Sequence, residues 1–205
     1  NRFIPIAEDS GLILPLGNRI IEMAVETARE WVRPSPHVCI SINISAQQFY
    51  QKNFVTGITK IIRNADVPCE SVQLEITESI AMQSDAMTLD ILRKLHQAGF
   101  LLVIDDFGTG YSSLKYLQDY PLDALKIDRE FLKDMFDAPK KFSIIEAVVF
   151  LSKKLGIPVI AEGVETQKQL EALQEMNCDF VQGFYFSAPV AKEAALRMIR
   201  AGAAR

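Results

Sequence analysis

The chain has 205 residues, 49% of them hydrophobic, which suits one domain with a sizeable core rather than two small ones. Basic residues number 22 against 26 acidic ones, for a net charge of −4 with no long basic block, which argues against an electrostatic grip on nucleic acid or a membrane. No apolar run reaches the roughly 18 residues of a membrane span, and the N-terminus has no basic-then-apolar signal pattern. Three scattered cysteines (Cys39, Cys69, Cys178) make no disulfide framework. The expectation is a cytoplasmic protein with reduced, mostly buried cysteines, compatible with a membrane-anchored parent.

In chain order, amphipathic spacing predicts a helix over residues 16–31, then a strand over 38–44 (VCISINI). A helix over 54–64 precedes a strand over 72–76 (VQLEI), and a helix over 86–98, opened by Ser84-Asp85 and closed at Gly99, precedes a strand over 101–105 (LLVID). Strand 124–128 (ALKID), helix 142–155 ending before Gly156, and strand 158–162 (PVIAE) follow. Helix 167–176, with Thr166 at its start, strand 180–183 (FVQG) and helix 192–199 complete the series.

Strict βα alternation gives either a doubly wound sheet or a (β/α)8 barrel. In an open sheet, ligands gather where the strand order reverses, so only two or three strands supply chemistry. Here six apolar segments each end on a polar group: Asn43, Glu75, Asp105-Asp106, Lys126, Glu162 and Gln182. That distribution favours an α/β fold of the TIM-like (β/α)8 barrel type, incomplete by about two N-terminal strands that belong to a longer parent.

Carboxylates about 4 Å apart repel by about 4 kcal/mol per pair at an effective dielectric of about 20. If Glu75, Asp105, Asp106 and Glu162 converge, Lys126 alone is too little positive charge, and bound divalent cations are the natural answer. Oxygen donors select hard ions such as Mg²⁺ or Mn²⁺, and His37 and His96 lie away from the strand ends, which disfavours zinc. Two such ions activate water and stabilise the leaving oxygen of a phosphodiester, while a nearby lysine orients the water or offsets phosphoryl charge. Taken singly, an Asp or Glu after a strand is as often a cap or a turn former.

Asp105-Asp106-Phe107-Gly108 contains the kinase metal-binding triplet, but no glycine-rich phosphate loop or HRD loop accompanies it. Gly108-Thr109-Gly110 is too short for a dinucleotide fingerprint. Glu78 cannot share the direction of Glu75 on a strand, so it is expected to hold the adjacent loop or cap a turn. Phe184, Tyr185, Phe186 and Pro189 offer rings that could stack on a base, with core packing the alternative for two of the three aromatics.

Seven segments carry a resemblance: FIPIAE (3–8), SINIS (41–45), LEITES (74–79), DDFGTGYSSL (105–114), LKIDR (125–129), AEGVET (161–166) and QGFYFSAP (182–189). Together they closely resemble the EAL domain family of bacterial cyclic di-GMP phosphodiesterases. The resemblance implies one EAL-type domain over residues 1–205, its C-terminal roughly four fifths, because the tripeptide that names the family and its metal-binding Glu are expected before Asn1.

By the same resemblance, the activity is hydrolysis of cyclic di-GMP to linear pGpG with two Mg²⁺ or Mn²⁺ ions per site. Asn43, Glu75 and Asp105 look like ligands of one metal, with Asp105 and Asp106 serving the second. Lys126 resembles the lysine that contacts the nucleophilic water, and Glu162 the carboxylate that acts as general base or second-metal ligand. Asp128, Glu165 and Gln182 look like supporting and substrate-side groups, and Glu78 like the anchor of the DDFGTGYSSL loop. That loop implies a homodimer, and the parent is expected to carry a regulatory or diguanylate cyclase-like domain. The alternative is a domain that binds cyclic di-GMP without cleaving it and signals through a partner.

Overall fold

The structure is a computed structural model that describes residues 3–32, 35, 37–83, 85–108 and 116–202. In chain order the elements are α1 (Phe3–Asp9), α2 (Ile13–Val32), β1 (Ile40–Ile44), α3 (Ala46–Phe49), α4 (Phe54–Asn64), β2 (Val72–Thr77) and α5 (Glu78–Ala81). Then come α6 (Ala86–Gln97), β3 (Leu101–Phe107), α7 (Tyr116–Asp119), β4 (Ala124–Ile127), α8 (Arg129–Lys133) and α9 (Pro139–Leu155). The chain continues through β5 (Val159–Glu162), α10 (Gln167–Glu175), β6 (Phe180–Gln182) and α11 (Lys192–Arg200).

Strand order follows chain order, β1-β2-β3-β4-β5-β6. A doubly wound sheet must reverse its order at a switch point, and this one never does. The described pairings, β1 with β2, β3 with β4, β4 with β5 and β5 with β6, are all parallel. Progression in one direction through parallel strands with intervening helices is the barrel's topology.

Two compact units divide the chain: residues 1–76, 83–102 and 191–205 form one, and residues 77–82 and 103–190 the other. In the first, α2 buries Ile13, Gly17, Ile21, Val25 and Ala28, a stripe at helical spacing. The same rule puts Phe54, Ile58 and Ile62 of α4 inside. Asp85 caps α6 by accepting from the Thr88 N–H at 2.6 Å; its sequence neighbour Ser84 lies outside the described residues.

In the second unit, Ile127, Leu132, Met135, Ile145, Val149, Val159, Ala161, Val164 and Leu173 pack one core from β4, β5 and the helices that follow them. Gly156 takes the left-handed conformation (φ +72°) that closes α9, as its position after the apolar run predicts.

All six predicted strands and all six predicted helices are present, with ends shifted by a few residues. The short helices α1, α3, α5, α7 and α8 escape the sequence reading because four to seven residues are too few to display a period. Asp128 caps α8 rather than ending a strand. The cysteines are free, but only Cys69 is buried; Cys39 is exposed and Cys178 half-buried.

Leu173 is fully enclosed. Leu173→Ala should therefore lower unfolding stability by about 2–5 kcal/mol, read as a drop in the urea midpoint at unchanged slope.

Candidate active site

In the first unit, the β1–β2 register sets Asn43 directly opposite Glu75. Paired residues in a parallel ladder point to one face, and period two puts Ser41 and Gln73 on that face with them. Gln73 Nε2 donates to Ser41 Oγ at 2.9 Å and to Glu75 Oε1 at 3.2 Å. Their neighbours Ile42, Ile44, Leu74 and Ile76 point the other way and are buried. Glu75 is only 5% exposed, whereas Asn43 is open to solvent.

In the second unit, β3 presents a problem that the sequence alone leaves unsolved. Consecutive strand residues face opposite sides, so Asp105 and Asp106 should diverge. The β3–β4 register runs Val103 to Ala124 and Ile104 to Leu125, then resumes only at Phe107 to Ile127. Asp105 and Asp106 thus share the place opposite Lys126, which is a β-bulge. Asp106 adopts φ +55°, the left-handed region that Asp tolerates better than most residues. The Asp106 N–H donates to Asp105 Oδ1 at 3.0 Å.

Lys126 is 3% exposed, with its Nζ 2.5 Å from Glu162 Oε1 and 3.3 Å from Asp105 Oδ1. Asp128, one residue past β4, caps α8 by accepting from the Glu130 N–H at 2.6 Å. A bond between its carboxyl and that of Asp106 is open only to a protonated carboxyl, and so favours the protonated form of Asp106. Burial, the charge of Asp105 and the bond to Asp128 push Asp106 up to about 6. Asp105, Asp106, Lys126, Asp128 and Glu162 therefore form one cluster in which carboxylates outnumber the single ammonium.

Glu162 ends β5, and the β5–β6 register sets it opposite Gln182. Past the ladder, the Val164 N–H donates to the Gln182 carbonyl at 3.0 Å and the Tyr185 N–H to the Val164 carbonyl at 2.9 Å. Gly183 makes this approach feasible, because a Cβ there would fall 2.1 Å from the Val164 oxygen. Glu78, 2% exposed at the start of α5, accepts from the Gly108 N–H at 2.9 Å. It thus holds the near end of the DDFGTGYSSL segment, whose residues 109–114 lie outside the described residues.

Glu165 is exposed, and its backbone N–H donates to Gln169 Oε1. Phe184, Tyr185 and Phe186 are all exposed after β6, the edge strand of the six. Tyr185 and Phe186 meet edge to face at 5.3 Å, and the Tyr185 hydroxyl bonds Gln167. His37 and His96 are exposed.

Among the described residues, no three His, Cys, Asp or Glu side chains close around one point as a ready-made metal cage. The donor chemistry nevertheless suits a hard cation. All the candidate donors are oxygens, and burial together with the charges of Asp105, Asp128 and Glu162 raises the pKa of Asp106.

A folded-state pKa raised from 3.8 to about 6 means that the folded chain binds this proton more tightly than the unfolded one. The contribution of Asp106 to stability is complete below the lower value and is lost as pH rises through the upper one. With divalent ions chelated, Asp106→Asn should be more stable than the unaltered protein by about 1 kcal/mol at neutral pH, after solvent screening. Urea unfolding should show that advantage shrinking to nothing as pH falls through the same window.

The EAL domain family model matches residues 1–189. The signaling protein YkoW of Bacillus subtilis is 40% identical over 191 residues, 93% of this chain and 24% of its own length. The cyclic di-GMP phosphodiesterase PdeR of Escherichia coli is 35% identical over 92% of this chain and 28% of its own. This chain thus spans about a quarter of the length of these curated relatives. Among solved structures, the PaMucR phosphodiesterase in complex with c-di-GMP superposes with a TM-score of 0.92 at 36% identity, over 95% of this chain and 79% of that one. With a family match over residues 1–189 and that superposition, the chain belongs to the EAL domain family and has its TIM-like (β/α)8 barrel fold in incomplete, six-stranded form.

Proposed function

We propose that this chain is the greater part of a metal-dependent phosphodiesterase domain that opens cyclic di-GMP to linear pGpG. The observation that carries the reading is the Lys126 ammonium held between Asp105 and Glu162, with Asp106 and Asp128 beside it. The printed names of the relatives support the substrate: PdeR and the 36% identical NbdA of Pseudomonas aeruginosa are cyclic di-GMP phosphodiesterases, and the PaMucR structure contains c-di-GMP.

In this reading Asn43, Glu75, Asp105, Asp106 and Glu162 are the residues that would hold Mg²⁺ or Mn²⁺. Such ions, when bound, lower the pKa of water and offset the charge of a phosphoryl group. The chain's own groups do the rest. Glu162 takes the proton of the attacking water as its oxygen bonds phosphorus and one P–O ester bond breaks, the leaving oxygen being protonated in turn. Lys126 orients both the Glu162 carboxylate and the water, and its ammonium donates to the developing phosphoryl charge.

Asp128 keeps Asp106 from diverging, and Gln182, beside Glu162 in register, offers its amide to the substrate with Glu165 near by in sequence. Glu78 steadies the loop at Gly108. The proposal extends to a homodimer through residues 105–114 and to a cytoplasmic parent with regulatory or diguanylate cyclase-like domains. No helix among the described residues is long and apolar enough to cross a membrane.

The test is release of pGpG from cyclic di-GMP by the intact protein, with Mn²⁺ or Mg²⁺ and again after chelation. Turnover that vanishes on chelation and returns with metal is expected; tight binding without turnover would make the domain a receptor. Glu162→Gln should reduce kcat by about 10²–10⁴-fold while leaving substrate affinity nearly intact, because it removes proton transfer rather than nucleotide contact. Single-turnover rates beside equilibrium binding read the two effects separately.

A further inference from the structure

Past the last registered pair of β4 and β5, Ile127 opposite Ala161, the backbones leading out of the two strands separate into the turns before α8 and α10. Lys126 and Glu162 stand on either side of that point, so the geometry of their ion pair depends on how the two turns are held. Beside the shared apolar core, two contacts among the described residues hold them. Gly163, at φ +78°, lies so close to Arg129 that a Cβ would fall 2.5 Å from the Arg129 Cβ.

The second contact is made by Gln169, a residue to which none of the roles above is assigned. Its side chain sits in the first turn of α10 with only 6% of the residue exposed. Its Oε1 accepts from the N–H groups of Glu165 at 2.8 Å and Thr166 at 3.0 Å, and from Thr166 Oγ1 at 3.1 Å. Its Nε2 donates across to the carbonyl of Leu132 in α8 at 2.8 Å. The Oε1 bonds form half of a capping box, which Glu would satisfy equally well. The bond to Leu132 is different in kind: it needs an amide donor, which a carboxylate lacks.

We propose that Gln169 is a positioning residue, an amide clamp that ties the β4–α8 turn to the β5–α10 turn and thereby sets the Lys126–Glu162 geometry. Its kinetic consequence rests on the phosphodiesterase reading; the clamp itself does not. A shift of order 1 Å in a reacting group can cost up to about a hundredfold in rate, so a loosened clamp should appear in kcat.

Three variants of the intact protein separate the clamp from the cap. Gln169→Glu keeps the cap acceptor and loses the donor to Leu132. Thr166→Ala weakens the cap and keeps the donor, and Gln169→Met fills the space with neither bond, should the buried carboxylate prevent folding. Amide hydrogen exchange and steady-state kinetics with Mn²⁺ are measured on each.

Gln169→Glu is expected to speed exchange in both residues 129–133 and residues 162–166 and to lower kcat about tenfold per folded molecule, with KM nearly unchanged. Thr166→Ala should speed exchange at the start of α10 alone and leave kcat in place. Faster exchange confined to α10 in Gln169→Glu and Gln169→Met, or an unchanged kcat in an active enzyme, overturns the proposal. An unaltered protein with no turnover would instead sink the phosphodiesterase reading, with the exchange data still deciding the clamp.

Discussion

The interaction on which the site depends is a buried ammonium between two carboxylates. At the separations of 2.5 and 3.3 Å, Lys126 is attracted to Glu162 and Asp105 by about 5–7 kcal/mol per pair at an effective dielectric of about 20. Removing each ion from water costs several kcal/mol, and the carboxylates repel one another, so most of that attraction is cancelled. A well-packed apolar trio of similar volume would serve the fold at least as well. What the ion cluster provides that an apolar core does not is a set of oriented proton acceptors and donors at the end of rigid strands.

The bulge in β3 is the backbone's part in the same design. Strand alternation forbids two successive side chains from facing one site, and the register slip between Ile104 and Phe107 removes that prohibition for Asp105 and Asp106 alone. The cost is a left-handed Asp106, and its compensation is an N–H that returns to Asp105. An Asp at either position on a regular strand would leave one of the two among the buried apolar side chains of the opposite face.

How much of this was legible in the sequence follows from which physical rule governs each part. The strands and long helices were readable because burial imposes a period over many residues, as in Val72–Thr77 or the stripe of α2. The polar residues at strand ends were readable because an uninterrupted apolar run ending on Glu162 or Lys126 has no use for a charge. The bulge was not, since register is a relation between two strands and neither carries it alone. Nor was Gln169, although Thr166 three residues before it spells a capping box; the pattern predicts the cap but not the partner 37 residues away in Leu132. For the three aromatics after Gly183 the sequence offers both stacking and core packing, since no period extends beyond the last strand to assign them a face.

A cluster with surplus negative charge couples its folding to whatever cation it holds. Asp106, raised to about 6, is predominantly ionised at neutral pH, so the folded state there carries repulsion that the unfolded chain does not. A ligand that binds only the folded state stabilises it by mass action, and for a divalent cation the gain is largest where this repulsion is largest. In the proposed metal-dependent reading, the same charge that weakens the fold would favour the ion. Lys126 fixes the lower limit of that repulsion, by neutralising part of the cluster at a fixed place between Asp105 and Glu162. With its position held by β4 and that of Glu162 by β5, both the electrostatics and the proton geometry of the site come down to how firmly two adjacent strand ends are kept in step.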